Sequence, residues 1–482
     1  MAESATETAN ILAESFASAY TDETSGPLPH NCYTKCNTDD ISDSLCISEV
    51  EVKEELDKLN HFKSMGPDKV HPKLLASLGE IPEFVTALTI LYNKCFEEGK
   101  IPLIWKTANI TPIHKKGSTT DAGNYRPISL TSVICKIYER FIRSHIYKYV
   151  SANISSKQHG FVPNKSCLSN LLETVDTINE MLAEGEGVDI FYLDFQKAFD
   201  SVPHHRLLIK LESLGITGKT LSAVSDFLSD RTFQVNVGTC TSGTHKVTSG
   251  IPQGSVLGPL LFVLYINDLC DTVKGNISLF ADDVKMYCRA SSYFHNQVDL
   301  IQLCEWQNQW LLNFNTKDEK CKVMHIGKEN PNNKYLLNNI LLPSVEQEVD
   351  LGVMFNSSWN WIDQVNNCIG KANKCIGWVT RNVICRSHDV MVNIYKSLIR
   401  PHLEYCVQLW APAPHYGNWK LIIDIENVQR KYTRLIDGVG LKTYQERLKC
   451  LDLTTLLERR ARGDLIETFK ILNGLANYGD KL

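Results

Sequence analysis

Two adjacent carboxylates, Asp282 and Asp283, sit between apolar runs in Ser278-Leu279-Phe280-Ala281-Asp282-Asp283-Val284-Lys285-Met286-Tyr287. Like charges this close repel, so the pair asks for a cation or for abundant water. Hard carboxylate oxygens suit an ion of the Mg²⁺ kind. The apolar flanks read as two short strands, which sets both acids at the tight turn of a hairpin. Asp194 ends a second apolar run, Asp189-Ile190-Phe191-Tyr192-Leu193-Asp194-Phe195, a buried strand by its pattern. It gains chemical meaning only where it can meet Asp282. Asp200 has the ordinary explanation of a cap. The pair Asp39-Asp40, in an acidic stretch without strand signals, reads as a solvated face.

Cations and a glycine loop stand near these acids in the sequence. Ile110-Thr111-Pro112-Ile113-His114-Lys115-Lys116-Gly117 reads as a strand entering a basic turn, and Asn124-Tyr125-Arg126-Pro127-Ile128-Ser129-Leu130 as the returning strand. Lys115, Lys116 and Arg126 then share a hairpin that can close over a triphosphate, with forked contacts from the guanidinium and point charges from the lysines. Taken without neighbouring motifs, a solvated hairpin tip is the favoured explanation for them. Residues 250–259 combine three glycines and two prolines ahead of an apolar helix. Such a loop lets backbone approach a ligand closely. A structural turn explains its glycines, but explains Gln253-Gly254-Ser255 less well.

Around these residues the pattern supplies a scaffold. Helical spacing marks residues 49–59, 74–96, 134–150, 168–182, 204–214, 221–228 and 260–269. Residues 232–237 and 245–248 read as paired strands, and 320–326 and 349–353 as further single strands. Leu300, Leu303, Trp306, Trp310 and Phe314 fall on one helical face and read as core. From 361 to 475 the chain is helical and basic. Residues 1–45, small, polar and acidic, read as a mobile arm or the frayed end of something longer.

The 482 residues are 43% hydrophobic and 22% charged, enough for several lobes. The start has no basic-then-apolar signal pattern, and the longest apolar run, 256–266, is too short to span a bilayer. Sixteen cysteines lack paired metal spacing, Cys32 and Cys36 included, which fits a reduced intracellular compartment. The net charge of −5 hides an uneven distribution: residues 1–60 hold 13 acids and 3 bases, 94–148 hold 10 bases and 4 acids, and 371–482 hold 18 bases and 11 acids. Two basic regions are a footprint suited to a phosphate backbone, with ordinary solvated helix faces as the competing explanation.

Six motifs in order carry a resemblance: Gly66-Pro67-Asp68; Tyr125-Arg126-Pro127-Ile128-Ser129-Leu130; Gln158-His159-Gly160-Phe161; Leu193-Asp194-Phe195-Gln196-Lys197-Ala198-Phe199-Asp200; Gly250 through Pro259; and Phe280-Ala281-Asp282-Asp283. Over about residues 48–475 the chain resembles the reverse transcriptases of non-LTR (LINE-type) retrotransposons, the jockey and CR1-like group in particular. The resemblance implies an α+β right-hand polymerase fold: an acidic arm at 1–45, fingers at 46–185, a palm of antiparallel sheet and helices at 186–345, and a primer grip, helical thumb and basic C-terminal region at 346–482. It implies an RNA-directed DNA polymerase that extends a primer 3′-hydroxyl with dNTPs. Asp194, Asp282 and Asp283 would hold two Mg²⁺ ions, with Mn²⁺ as a substitute. Lys115, Lys116, Arg126, Phe195, Phe199, Gln253, Gly254 and Lys320 would bind the nucleotide, Phe199 as the gate against a 2′-hydroxyl. Leu351, Gly352 and Val353 would be the primer grip. Implied partners are an RNA template, a DNA primer or target and dNTPs, with no membrane and an intracellular location in nucleus and cytoplasm.

Two departures stand out: Val162 where the family carries arginine, and a long segment at 315–320. No endonuclease domain fits in residues 1–45, so that activity is expected from another chain or to have been lost. The alternatives are a truncated or co-opted remnant that binds nucleic acid without polymerising, a viral-type RNA replicase, and a group II intron enzyme. Ala281 and Pro252-Gln253-Gly254 argue against the replicase.

Overall fold

The computed structural model describes residues 4–23, 28, 44–317, 320–412 and 418–476. Asp39-Asp40, Cys32 and Cys36 lie outside them. The chain's own contacts group it into two compact units, each built from separated stretches: residues 1–161, 194–273 and 300–315 in the first, and 162–193, 274–299 and 316–482 in the second. This differs from the contiguous fourfold division expected from the sequence. In chain order the strands are β1 (Thr107–His114), β2 (Tyr125–Leu130), β3 (Val188–Asp194), β4 (Thr232–Val237), β5 (Cys240–Thr241), β6 (His245–Lys246), β7 (Asn276–Phe280), β8 (Asp283–Arg289), β9 (Lys322–Ile326), β10 (Leu336–Leu337), β11 (Ile340–Leu341), β12 (Gln347–Asp350) and β13 (Val353–Asn356).

The first unit holds a sheet ordered β2-β1-β4-β5, with β6 also on β4. β1 runs antiparallel to β2 and parallel to β4. Ala108, Ile110, Phe233 and Val235 line one face of it, and the helix Ala5–Ala17 covers that face with Leu12, Ala13 and Phe16. Ser4 caps this helix, its hydroxyl accepting the Glu7 N–H. Residues 5–17 are therefore a docked helix and not the expected arm. Their buried apolar stripe is only Ala9, Leu12, Ala13 and Phe16 in an acidic, small-residue context, which hides it. Beyond the helix, Tyr20 meets Phe233 edge-on at 6.3 Å and the Thr21 hydroxyl donates to the Ser201 carbonyl at 2.7 Å.

The helix expected at 74–96 is two, Pro72–Leu78 and Pro82–Glu98, because a proline opens each and Gly79 ends the first. Val133–Val150 follows as a helix with Ile137, Tyr138, Ile142 and Ile146 buried. Among the described residues no single helix is long and apolar enough to cross a membrane; the bent pair 72–78 and 82–98 passes such a test only when taken together.

The second unit is built on a four-stranded sheet, β7-β8-β3-β9. Its central strand β3 is buried along almost its whole length, as its unbroken apolar run requires. Asp189, fully buried in β3, hydrogen-bonds His325 Nδ1 at 2.7 Å, and accepts from the Tyr335 hydroxyl at 2.6 Å and Asn330 Nδ2 at 2.9 Å. An unmatched buried carboxylate would be costly, and these three partners bind β3 to β9 and to the segment after it.

The single strand expected at 349–353 is a hairpin instead: Gln347 to Asp350 pairs with Val353 to Asn356, and Leu351-Gly352 is its turn. Both turn residues have positive φ, +43° and +86°. That is the two-residue turn whose twist suits a hairpin, and a leucine in the left-handed region leaves no signal in the sequence. The helices Ile362–Asn382, Trp419–Thr433 and Leu456–Leu472 complete the unit, around a core that includes Ala372, Ile376, Tyr395, Trp410, Ile425 and Tyr432.

Candidate functional site

The Asp-Asp turn is built as the sequence expects. β7 and β8 pair antiparallel with Phe280 opposite Asp283, which leaves Ala281-Asp282 as the loop. Ala281 is buried and takes φ +54°. A left-handed alanine costs on the order of 1 kcal/mol, so the surrounding packing enforces the turn. β8 lies beside β3 in the sheet. At the far end of both strands the Ala290 N–H donates to the Gly187 carbonyl at 2.8 Å, so the two run antiparallel. β3 therefore finishes, at Asp194, on the sheet end where β8 begins at Asp283. Neighbouring strands lie about 5 Å apart. Asp194 and Asp282 are half-buried and Asp283 is exposed.

Among the described residues no group of three or more His, Cys, Asp or Glu side chains already stands close enough to hold a metal ion. What the sheet end offers is its donor set, carboxylate oxygens on adjacent strand termini, which is the chemistry a hard divalent cation takes.

Other candidate residues belong to the first unit. The Phe195 ring is buried and stacked on Phe314, centroids 4.6 Å apart at 13°, with Trp306 beside it. Phe314 itself lies past the end of the helix Tyr293–Trp310 and bridges to Phe195, although the core face expected of Leu300, Leu303, Trp306 and Trp310 is buried as a whole. Phe199 is half-buried, stacked flat on Phe262 at 4.4 Å and edge-on to Phe161 at 6.1 Å. Two aromatic contacts fix that ring in one orientation.

Gln253 lies in the loop before the apolar helix Gly258–Tyr265. Its Nε2 donates to both oxygens of Asp200, at 2.9 and 3.1 Å, and its carbonyl accepts the Ser129 N–H at 2.9 Å. With the amide nitrogen committed to Asp200, the amide oxygen of Gln253 is turned the other way. Burial pushes the Asp200 carboxyl up to about 6, against the lowering effect of that hydrogen bond. Sequence reasoning treated Asp200 as a cap and missed it as the partner of Gln253; no spacing rule signals the pairing. Gly254 has φ +114°, and a Cβ there would meet the Ser129 carbonyl oxygen at 2.7 Å, so close approach of two backbones requires the glycine. A cavity of about 40 Å³ adjoins these groups, lined in part by Tyr20, Ser129, Asp200, Gly250 and Gln253. Lys115, Lys116 and Arg126 are exposed at the β1–β2 hairpin, Arg126 opposite Ile113.

In the second unit, Lys320 is exposed just ahead of β9. Leu351 and Gly352 form the β12–β13 turn and Val353 opens β13. The Tyr405 hydroxyl donates to the Leu351 carbonyl at 2.8 Å, and a Cβ on Gly352 would lie 3.1 Å from the Tyr405 ring. Asp350, just before the turn, pairs with the buried Lys285 of β8, a contact the sequence did not signal.

Comparison with known proteins follows the same residues. The family model described as reverse transcriptase (RNA-dependent DNA polymerase) matches residues 113–355. A probable RNA-directed DNA polymerase from transposon X-element of Drosophila melanogaster is 27% identical over 404 residues, 80% of this chain and 44% of that protein. The RNA-directed DNA polymerase from mobile element jockey of the same fly is 29% identical over 406 residues, 80% of this chain and 43% of that protein. The type-1 retrotransposable element R1 polyprotein of Bradysia coprophila is 25% identical over 442 residues, 86% of this chain and 42% of that protein. The chain thus spans less than half the length of these relatives. With the family's signature stretch running from the β1–β2 hairpin through both aspartate-bearing strands to the β12–β13 turn, this chain belongs to the reverse transcriptase (RNA-dependent DNA polymerase) family.

Proposed function

We propose that the chain is the RNA-directed DNA polymerase of a non-LTR retrotransposon, extending a primer 3′-hydroxyl with dNTPs along an RNA template. The observation that carries the reading is the pair of adjacent, antiparallel strands β3 and β8, whose Asp194 and Asp283 ends share one end of the sheet. They fall within residues that match a reverse transcriptase model. In this reading the sheet β7-β8-β3-β9 is the palm, the β1–β2 hairpin belongs to the fingers, and the helices after Trp361 form the thumb.

Asp194, Asp282 and Asp283 would hold divalent metal, two Mg²⁺ ions with Mn²⁺ as a substitute. When bound, such ions supply Lewis acidity for the attacking and leaving oxygens of the phosphoryl transfer. The protein's own contribution is charge and position. Lys115, Lys116 and Arg126 bring cations to the triphosphate, and Lys320 is placed in the role of proton donor to the departing pyrophosphate. Phe199 presents a fixed ring where a ribose would carry its extra hydroxyl. Gln253 offers an amide oxygen and Gly254 a side-chain-free backbone to the nucleotide pocket. Phe195 serves that pocket through its backbone, its ring being in the core. The Leu351-Gly352-Val353 turn holds the primer end. An intracellular site of action, in nucleus and cytoplasm, belongs to the same reading.

Purified protein, given an RNA template, a DNA primer, dNTPs and Mg²⁺, extends the primer, and Asp282→Asn abolishes the extension. Template binding without extension by the parent protein overturns the reading in favour of a remnant that only binds nucleic acid.

A further inference from the structure

Lys285 follows Asp283 by two residues on β8, so both point to one face of the sheet about 7 Å apart along the strand. It is 4% exposed. A lysine on a buried strand face is unusual without a partner. Here its ammonium pairs with Asp350, and also donates to Asn170 Oδ1 at 3.2 Å. Asn170 in turn donates to the Ser278 hydroxyl at 2.7 Å and to the Leu279 carbonyl at 3.1 Å, both on β7. The chain of contacts therefore ties both strands of the Asp-Asp hairpin, through one ammonium, to the residue that precedes the Leu351-Gly352 turn. A second pair, Lys322 with Glu348, joins β9 to β12 further from the turn.

An ion pair is a poor choice for stability alone in so buried a place, since apolar residues of the same volume serve as well. What it adds is register: two apolar side chains slide past each other, whereas an ammonium and a carboxylate have one best position.

We propose that the Lys285–Asp350 pair is a positioning device that sets the Leu351-Gly352-Val353 turn at one height against the Asp282-Asp283 turn. A primer end held by the first then meets the carboxylates of the second. The inference rests on the polymerase reading above and assigns Lys285 and Asp350 no contact with substrate.

The test uses the full chain in primer extension with Mg²⁺. Asp350→Asn, which keeps shape and removes charge, is expected to lower kcat at least tenfold and to raise the primer KM, with the dNTP KM changed less than twofold. Lys285→Met/Asp350→Leu removes both charges and is expected to melt within a few degrees of the parent while keeping the tenfold loss. A double variant that extends primers at the parental kcat and primer KM overturns the inference and leaves the polymerase reading intact. So does a loss in Asp350→Asn that falls equally on dNTP and primer KM. A parent protein that extends no primer overturns the polymerase reading, and the inference falls with it.

Discussion

At the scale of single residues, two side chains carry separable consequences. Phe199 stacks flat on Phe262 and meets Phe161 edge-on, and under the proposed reading these contacts hold its ring as the gate against a 2′-hydroxyl. Phe199→Val removes the wall. Ribonucleotide incorporation, measured against dNTP incorporation on one template, is expected to rise at least tenfold, whereas an unchanged ratio removes Phe199 as the gate. Asp200 makes a prediction in pH. Its carboxyl titrates near 6 in the folded chain against an ordinary value of 3.8. A carboxyl raised on folding binds its proton more tightly in the native state, so its contribution favours the fold below about pH 4 and is lost as pH rises through 6. The span corresponds to about 3 kcal/mol. Denaturant unfolding between pH 4 and 7.5 should therefore show a decline in stability that Asp200→Asn flattens. A parallel decline in the variant assigns it to other groups. Asp200 also marks where sequence reading stopped. Its type and position suggest a cap, but it lies inside the short helix Ala198–Ser201, and its carboxylate accepts from Gln253 instead.

At the scale of elements, most helices and strands were legible because their apolar periodicity is strong. The buried run of β3, the β1–β2 hairpin and the helix at 133–150 all lie within a few residues of their sequence expectation. Two elements were not legible, for different reasons. The Leu351-Gly352 turn needs a left-handed leucine, which propensity argues against and which the pairing of β12 with β13 imposes. The helix Ala5–Ala17 has an apolar stripe too short to stand out, and becomes a helix by docking on the β1–β4 face. The docking is open to test. Phe16 is 7% exposed against Ala108, Ile110 and Phe233. Phe16→Ala should destabilise the first unit by about 3 kcal/mol, the usual cost of deleting a buried phenylalanine. Thermal melting reads the change, and a melting temperature equal to the parent's returns these residues to the status of a loose arm.

At the scale of the whole molecule, the sequence order of the motifs was readable but the grouping of the chain was not. Each compact unit is assembled from stretches that other segments interrupt, and contacts between distant residues leave no local pattern. Charge is the property of the whole that sequence does report. The net value of −5 would discourage any nucleic-acid partner, yet it averages an acidic start with two basic regions, 10 bases to 4 acids over 94–148 and 18 to 11 over 371–482. A polymerase grips its template mainly through phosphates, and each neutralised phosphate releases counterions. If about six phosphates are neutralised, the logarithm of the affinity should fall with the logarithm of salt concentration at a slope near −5 on a duplex. Affinity would then drop about a thousandfold between 50 and 200 mM salt. Fluorescence anisotropy of a labelled RNA–DNA primer-template across that range measures the slope directly. Lys115→Glu/Lys116→Glu, which reverses two exposed charges on the β1–β2 hairpin, separates the two uses of cations. Cations that face the triphosphate raise the dNTP KM when reversed and leave the slope for template unchanged, whereas cations that hold the template make the slope shallower by one to two. A slope near zero in the parent protein would remove both basic regions as the grip.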